Sequence, residues 1–122
     1  MNWFKRKTSR STERLAPPGI KFVGEQDGPS ERDLKASFVE VFRDEPMVER
    51  AYLARAEHGD DADVHVTLCL KCSFAANQSL LGKLGDIFAA MFGSHEHLDI
   101  VFLREAEERE LRLVCAPFYR AN

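Results

Sequence analysis

The stretch that decides the fold runs from Ala62 to Ser73 and reads Ala-Asp-Val-His-Val-Thr-Leu-Cys-Leu-Lys-Cys-Ser. It alternates strictly. Val64, Val66, Leu68, Leu70 and Cys72 fall on one side, and His65, Thr67, Cys69, Lys71 and Ser73 fall on the other. A period of two predicts a half-buried β-strand, because successive side chains leave the backbone on opposite faces of a sheet. Such regularity places the strand in the middle of a sheet, with its aliphatic side against helices.

Working outward, the segment before it is ambiguous. Met47 to Ala56 has helical propensity, but Glu57 to Asp61 contains Gly59 and polar turn formers leading straight into the central strand. A hairpin accounts for both halves, so Met47 to Ala56 is read as its first strand. Further upstream, Ile20 to Val23 reads as a short strand ended by Gly24 and an Asp27-Gly28-Pro29 turn. Ser30 then starts a helix, with Asp33 in the capping-box position. Leu34, Phe38, Val41 and Phe42 form one helical face, and Pro46 stops it near Arg43 or Asp44.

Downstream, Asn77 caps a second helix whose stripe is Leu80, Leu81, Leu84, Ile87, Phe88, Met91 and Phe92, closed by Gly93. Such a stripe reads as core, not as a cofactor pocket. Leu98 to Leu103 is a short apolar strand. Glu105 to Cys115 is open to two readings, a short helix or a further strand, with helix preferred. Its Glu105, Glu107, Glu108 and Glu110 read as a solvated charge run. The order β-α-β-β-α-β is the ferredoxin-like split pattern, an α+β two-layer sandwich. It predicts an antiparallel sheet with central first and third strands and both helices on one face. The other face, carrying His65, Thr67, Cys69 and Lys71, is then left open.

The chain has 122 residues, one domain's worth, and a net charge of −3. Residues 1–18 carry Lys5, Arg6, Lys7, Arg10 and Arg14 against Glu13, a net +4 that leaves −7 on the remainder. Pro17-Pro18-Gly19 marks a boundary, so residues 1–18 read as a flexible basic arm and 19–122 as the domain. Trp3 and Phe4 beside Lys5, Arg6 and Lys7 give the arm a minor prospect of contact with an anionic membrane surface. No apolar run approaches a membrane span, and no signal-peptide core follows the basic cluster. With three cysteines, an odd number, free thiols in a reducing cytoplasm are expected.

Chemistry-bearing motifs are few. Cys69 and Cys72 form a C-x-x-C, but residues three apart on a strand face opposite ways and lie ~10 Å apart, outside disulfide reach. His95-Glu96-His97, if extended, puts both imidazoles on one side and His65 could add a third ligand, but the segment follows a helix end and nothing fixes that third ligand nearby. There is no nucleophile elbow, phosphate loop or carboxylate pair with a base. A ferredoxin-like RNA binder needs stacking aromatics on its central strands, and this acidic body has His65, Thr67 and Cys69 there instead. No enzyme activity, cofactor, metal or nucleic acid is expected.

With the elements in place, Val48-Glu49-Arg50-Ala51-Tyr52-Leu53-Ala54, the strand after it, Leu98-Asp99-Ile100-Val101-Phe102-Leu103 and the closing Pro117-Phe118-Tyr119-Arg120 resemble the C-terminal domain of the SseB (enhanced serine sensitivity protein) family. The resemblance covers about residues 20–121. It implies a small bacterial cytoplasmic protein, linked to a serine-sensitivity phenotype and without an established enzymatic activity. Larger members place another domain before this one, where this chain has its basic arm. No catalytic residue carries over. Tyr52, Phe118 and Tyr119 match the family pattern, and aromatics of this kind readily clamp a tail onto a body.

The expectation is therefore a non-enzymatic binding or regulatory module acting through protein contacts. Its candidate surface is His65, Thr67, Cys69, Lys71, Tyr52, Phe118 and Tyr119, with homodimerisation through the open face. Arginine at positions 67 and 69 should then break self-association and leave the fold intact. Two alternatives are a small-molecule sensor, for an amino acid such as serine, and a metal or thiol protein using Cys69, Cys72 and the histidines.

Overall fold

The computed structural model describes residues 14–15, 20–58, 61–73, 78–93 and 98–121. The long hairpin is its centre. Strand β3 (Val48–His58) and strand β4 (Asp61–Cys72) pair antiparallel from Val48↔Cys72 to His58↔Asp61. The turn between them, Gly59 included, lies outside the described residues. Helical propensity in β3 is overridden by burial: Ala51, Tyr52, Leu53, Ala54 and Ala56 are all fully buried, which a strand between two covered faces requires.

Around the hairpin, β2 (Lys21–Glu25) runs antiparallel to β3, with a bulge that leaves Val23 without a partner there. Strand β5 (Leu98–Phe102) lies parallel to β4, joined by the crossover helix α2 (Gln78–Phe92) that a parallel pair demands. Arg14–Leu15, in the expected arm, add a two-residue strand β1 parallel to β5. The rest of the arm, including the Trp3–Lys7 cluster and Pro17-Pro18-Gly19, lies outside the described residues. The sheet order is β1-β5-β4-β3-β2, and β6 (Tyr119–Arg120) joins β3 beyond the end of β2.

This corrects the ferredoxin-like expectation in three respects. The sheet is mixed, and the first strand of the expected pattern, β2, lies at an edge instead of beside the third. The α2 crossover sets β5 directly against β4, leaving no slot between them for β2. The helices also occupy both faces. Helix α1 (Pro29–Phe42) and α2 bury Leu34, Phe38, Phe42, Leu80, Leu81, Leu84 and Phe88 against Leu53, Leu68, Leu70 and Ile100 on one side. Helix α3 (Glu105–Arg112) covers Tyr52, Ala54, Cys69 and Val101 on the other through Leu111, with Leu103 and Cys115.

Local signals fare unevenly. The α2 stripe is the core stripe, although Met91 is partly exposed. Gly93 ends α2 with φ 88°, a conformation glycine adopts at no steric cost, and its N–H reaches the Ala89 carbonyl at 2.8 Å. The expected Asn77 cap lies outside the described residues. Helix α1 departs from the expected Ser30–Asp33 cap: Gly28 is its N-cap, with no side-chain bond, and Pro29 opens the helix, where its missing N–H costs nothing. At α3 the carboxylate of Glu107 instead accepts the backbone N–H of Arg104, at 2.9 Å.

The closing aromatics clamp the tail. Phe118 N–H donates to the Ala51 carbonyl and Ala121 N–H to the Glu49 carbonyl, each at 2.9 Å. The Phe118 and Tyr119 rings lie 6.2 and 5.2 Å from that of Phe42, in tilted contacts typical of buried aromatic pairs. No helix among the described residues is long and apolar enough to cross a membrane.

Candidate functional site

Charge, scarce in the interior, concentrates under α3. Glu108 falls on the inward stripe of that helix with Leu111, three residues on, in line with Cys115 just beyond the helix, and is buried. Arg50 grips it with two parallel hydrogen bonds, from Nε to Oε2 and from Nη2 to Oε1, the latter at 2.9 Å. Tyr52 donates its hydroxyl proton to Oε2 at 2.6 Å and accepts Nε–H of Arg112 at 3.0 Å. A guanidinium forked onto a carboxylate is the strongest geometry available to such a pair. The run of glutamates is thus not wholly solvated: Glu108 is buried, and the Glu107 side chain, 16% exposed, is bonded to Arg104.

Each group is fixed in one protonation state. The hydrogen bond from Arg50 holds the Glu108 carboxyl down at about 2, overriding the opposing effect of burial. Burial, and then the Glu108 bond, push the Tyr52 phenol above its usual value. The Glu108 bond likewise raises Arg50. The cluster therefore binds and positions charge but holds no proton that moves near neutrality. A second, smaller cluster ties α1 to β2: buried Lys35 reaches Glu25 at 3.0 Å and Asp27 at 3.4 Å.

The expected open face is not open. Tyr52, Thr67 and Cys69 have no accessible surface, and α3 and the loop after it cover Tyr52 and Cys69 through Leu111 and Cys115. They have nothing to present to a partner, and arginine at 67 or 69 would unfold the domain instead of selectively dissociating it. His65, Lys71, Phe118 and Tyr119 keep partial exposure, the last two packed against the α1 side. The structure thus splits the predicted surface between the two faces.

Cys69 and Cys72 do face opposite ways, one packed under α3 and the other against the α1–α2 core. Burial pushes Cys69 well up and raises Cys72 and Cys115 to about 11. All three are therefore protonated thiols at neutral pH, poor nucleophiles and poor metal ligands. His95-Glu96-His97 lies outside the described residues. No cluster of three metal-binding side chains occurs among those described.

A shallow groove of about 270 Å³ opens between β2 and the C-terminal end of α3, lined by Ile20, Lys21, Phe22, Glu110, Leu113 and Val114. Leu113 is 84% exposed. The sequence reading missed both the groove and Glu108. For Glu108 a signal existed, its spacing to Leu111 and Cys115. The groove depends on β2 meeting α3, which no local pattern records.

No curated protein and no solved structure matches the chain. Residues 26–120, most of the chain and all elements from α1 to β6, match the family described as the SseB protein C-terminal domain, and the chain belongs to that family.

Proposed function

We propose that this domain is a non-enzymatic binding module that works through protein contacts, at the groove between β2 and α3. The observation that carries this reading is the apolar exposure there. Leu113 and Val114 are large apolar side chains exposed here, 84% and 41%, next to Ile20 and Phe22 in the groove. Four apolar residues rimmed by Lys21 and Glu110 suit an extended partner segment with apolar side chains and a charge of each sign at its flanks. The fixed protonation states under α3 and the protonated thiols agree with a module that does no chemistry.

Photo-crosslinking in cells tests it. A benzophenone amino acid replacing Leu113 should capture discrete protein adducts that the same probe replacing Glu40, exposed on α1, does not. Equal or absent capture at the two positions removes the reading.

The groove also gives the sensor alternative a physical basis. Lys21 and Glu110 carry the charges that complement the carboxylate and ammonium of a free amino acid. A ligand that binds only the native state raises the melting temperature. A panel of amino acids, serine first, should then produce one selective rise, and a flat response across the panel eliminates this version.

A further inference from the structure

On the α3 face, cations stand side by side across three strands. Arg50 of β3 is directly opposite Lys71 of β4 on one side and Arg120 of β6 on the other. Directly opposed residues share a face, with Cβ atoms about 5 Å apart, so Lys71, Arg50 and Arg120 form a row about 10 Å long. Arg112 reaches the same place from α3, its guanidinium 3.8 Å from Glu108.

Like charges directly opposed in a sheet are destabilising. The arrangement is more unusual because the chain beyond residue 18 is acidic, −7 overall, with twelve lysines and arginines. Four of those twelve meet here. Among the described residues two carboxylates answer them, Glu108 and, at 3.9 Å from Arg50, Glu49. Lys71 and Arg120 form no ion pair among the described residues.

The row is also partly accessible and partly built. Arg120 is exposed, Lys71 half-buried, and the side chains of Arg50 and Arg112 are 25% and 44% exposed. Arg50 does not wave in solvent, because Glu108 pins one edge of its guanidinium. Of its five N–H donors, the bonds to Glu108 use two. A preorganised arginine flanked by two cations that form no ion pair among the described residues is the composition of an oxyanion site.

We propose that Lys71, Arg50, Arg120 and Arg112 form a binding site for a small multivalent oxyanion, a phosphate or diphosphate group. Arg50, fixed by Glu108 and Tyr52, supplies the orienting donor. Lys71 and Arg120 close on the ligand from either side, and the incoming charge converts their repulsion of Arg50 into shared attraction. This site lies apart from the β2–α3 groove and does not depend on the protein-contact reading.

The test is a residue-resolved titration of the full-length ¹⁵N-labelled chain with pyrophosphate, following backbone amides and arginine Nε–H signals at low salt, about 20 mM, where screening is weak. Sodium chloride at matched ionic strength is the control. The site predicts saturable shifts at Arg50, Lys71, Arg112 and Arg120. It also predicts about five- to tenfold weaker binding in Lys71→Gln and in Arg120→Gln, each of which removes one charge-assisted contact. Both variants, free of ligand, should melt at or above the temperature of the parent, since each relieves a repulsion. A purely structural cation would give the opposite sign. No localised shift by about 10 mM pyrophosphate, shifts confined to the basic residues 5–14, an equal response to chloride, or unchanged binding in both variants overturns the proposal.

Discussion

The two faces of this sheet are sealed by different chemistry. Against α1 and α2 the contact is rings and aliphatic side chains: Phe38, Phe42, Phe88 and four leucines meet Leu53, Leu68, Leu70 and Ile100. Under α3 the apolar area is small, and a forked Arg50–Glu108 pair with Tyr52 and Arg112 supplies much of the docking. An apolar contact is non-directional and indifferent to pH. A buried ion pair is directional and contributes little net energy, but it is costly to break on one side. The first face makes the domain stable. The second places one short helix in one position.

That contrast can be broken at several points. The largest effect belongs to the apolar face. Phe38→Ala removes a fully buried ring within 6.5 Å of both Phe42 and Phe118 and should cost about 3–5 kcal/mol by denaturant unfolding. The loss should be the same at pH 7 and pH 4.

Next comes Glu108→Gln, which strands Arg50 in a half-buried position and should cost about 3 kcal/mol at pH 7. Adding Arg50→Met to that variant should recover more than half of the loss, because no unpaired charge then remains. If the double variant is no more stable than the single one, the pair is not the unit described.

The same carboxylate sets the pH response. Glu108 stays ionised in the native state down to about 2, whereas its ordinary value is 4.5. A group with a depressed native value contributes fully above its unfolded value and loses that contribution as pH falls toward the native one. Unfolding free energy should therefore drop by about 3 kcal/mol, at about 1.4 per unit, between pH 5 and pH 2. In Glu108→Gln the fall over this range should be smaller by that amount.

Tyr52→Phe is smaller. It removes one hydroxyl that serves both Glu108 and Arg112 and should cost about 1–2 kcal/mol. The smallest effect calibrates the rest from outside either face. A Cβ at Gly82 in α2 meets nothing within 4 Å, so Gly82→Ala should stabilise by about 0.5–1 kcal/mol.

What could be read from the residues was what is local. The alternation of β4, the stripe of α2, the aromatic face of α1 and the strand character of β3 all follow from spacing and from the hairpin between them. The order of the strands did not, because it depends on which edge the short β2 takes and on where the α2 crossover delivers β5. That misplacement carried through to the site. A ferredoxin-like order leaves Thr67 and Cys69 facing solvent, whereas the actual topology returns the chain after β5 across that face as α3. Glu108 looked like its neighbours because a glutamate run is read by composition, and only its register with Leu111 separates it from Glu105 and Glu110.

The pairing of the tail with β3 has a consequence for synthesis. Strand β3 is made early, yet its edge at Glu49 to Ala51 is covered only when Phe118 to Ala121 arrive, and Arg50 waits 58 residues for Glu108. A nascent chain emerging from the ribosome therefore carries an open strand edge and an unneutralised arginine until nearly all of this domain has been translated. Contacts this distant in sequence are also slow to close. During that interval the open edge is a template for any passing strand. Chaperone engagement, if it occurs, should concentrate on chains stalled between α2 and α3 and fade once residue 121 has cleared the exit tunnel.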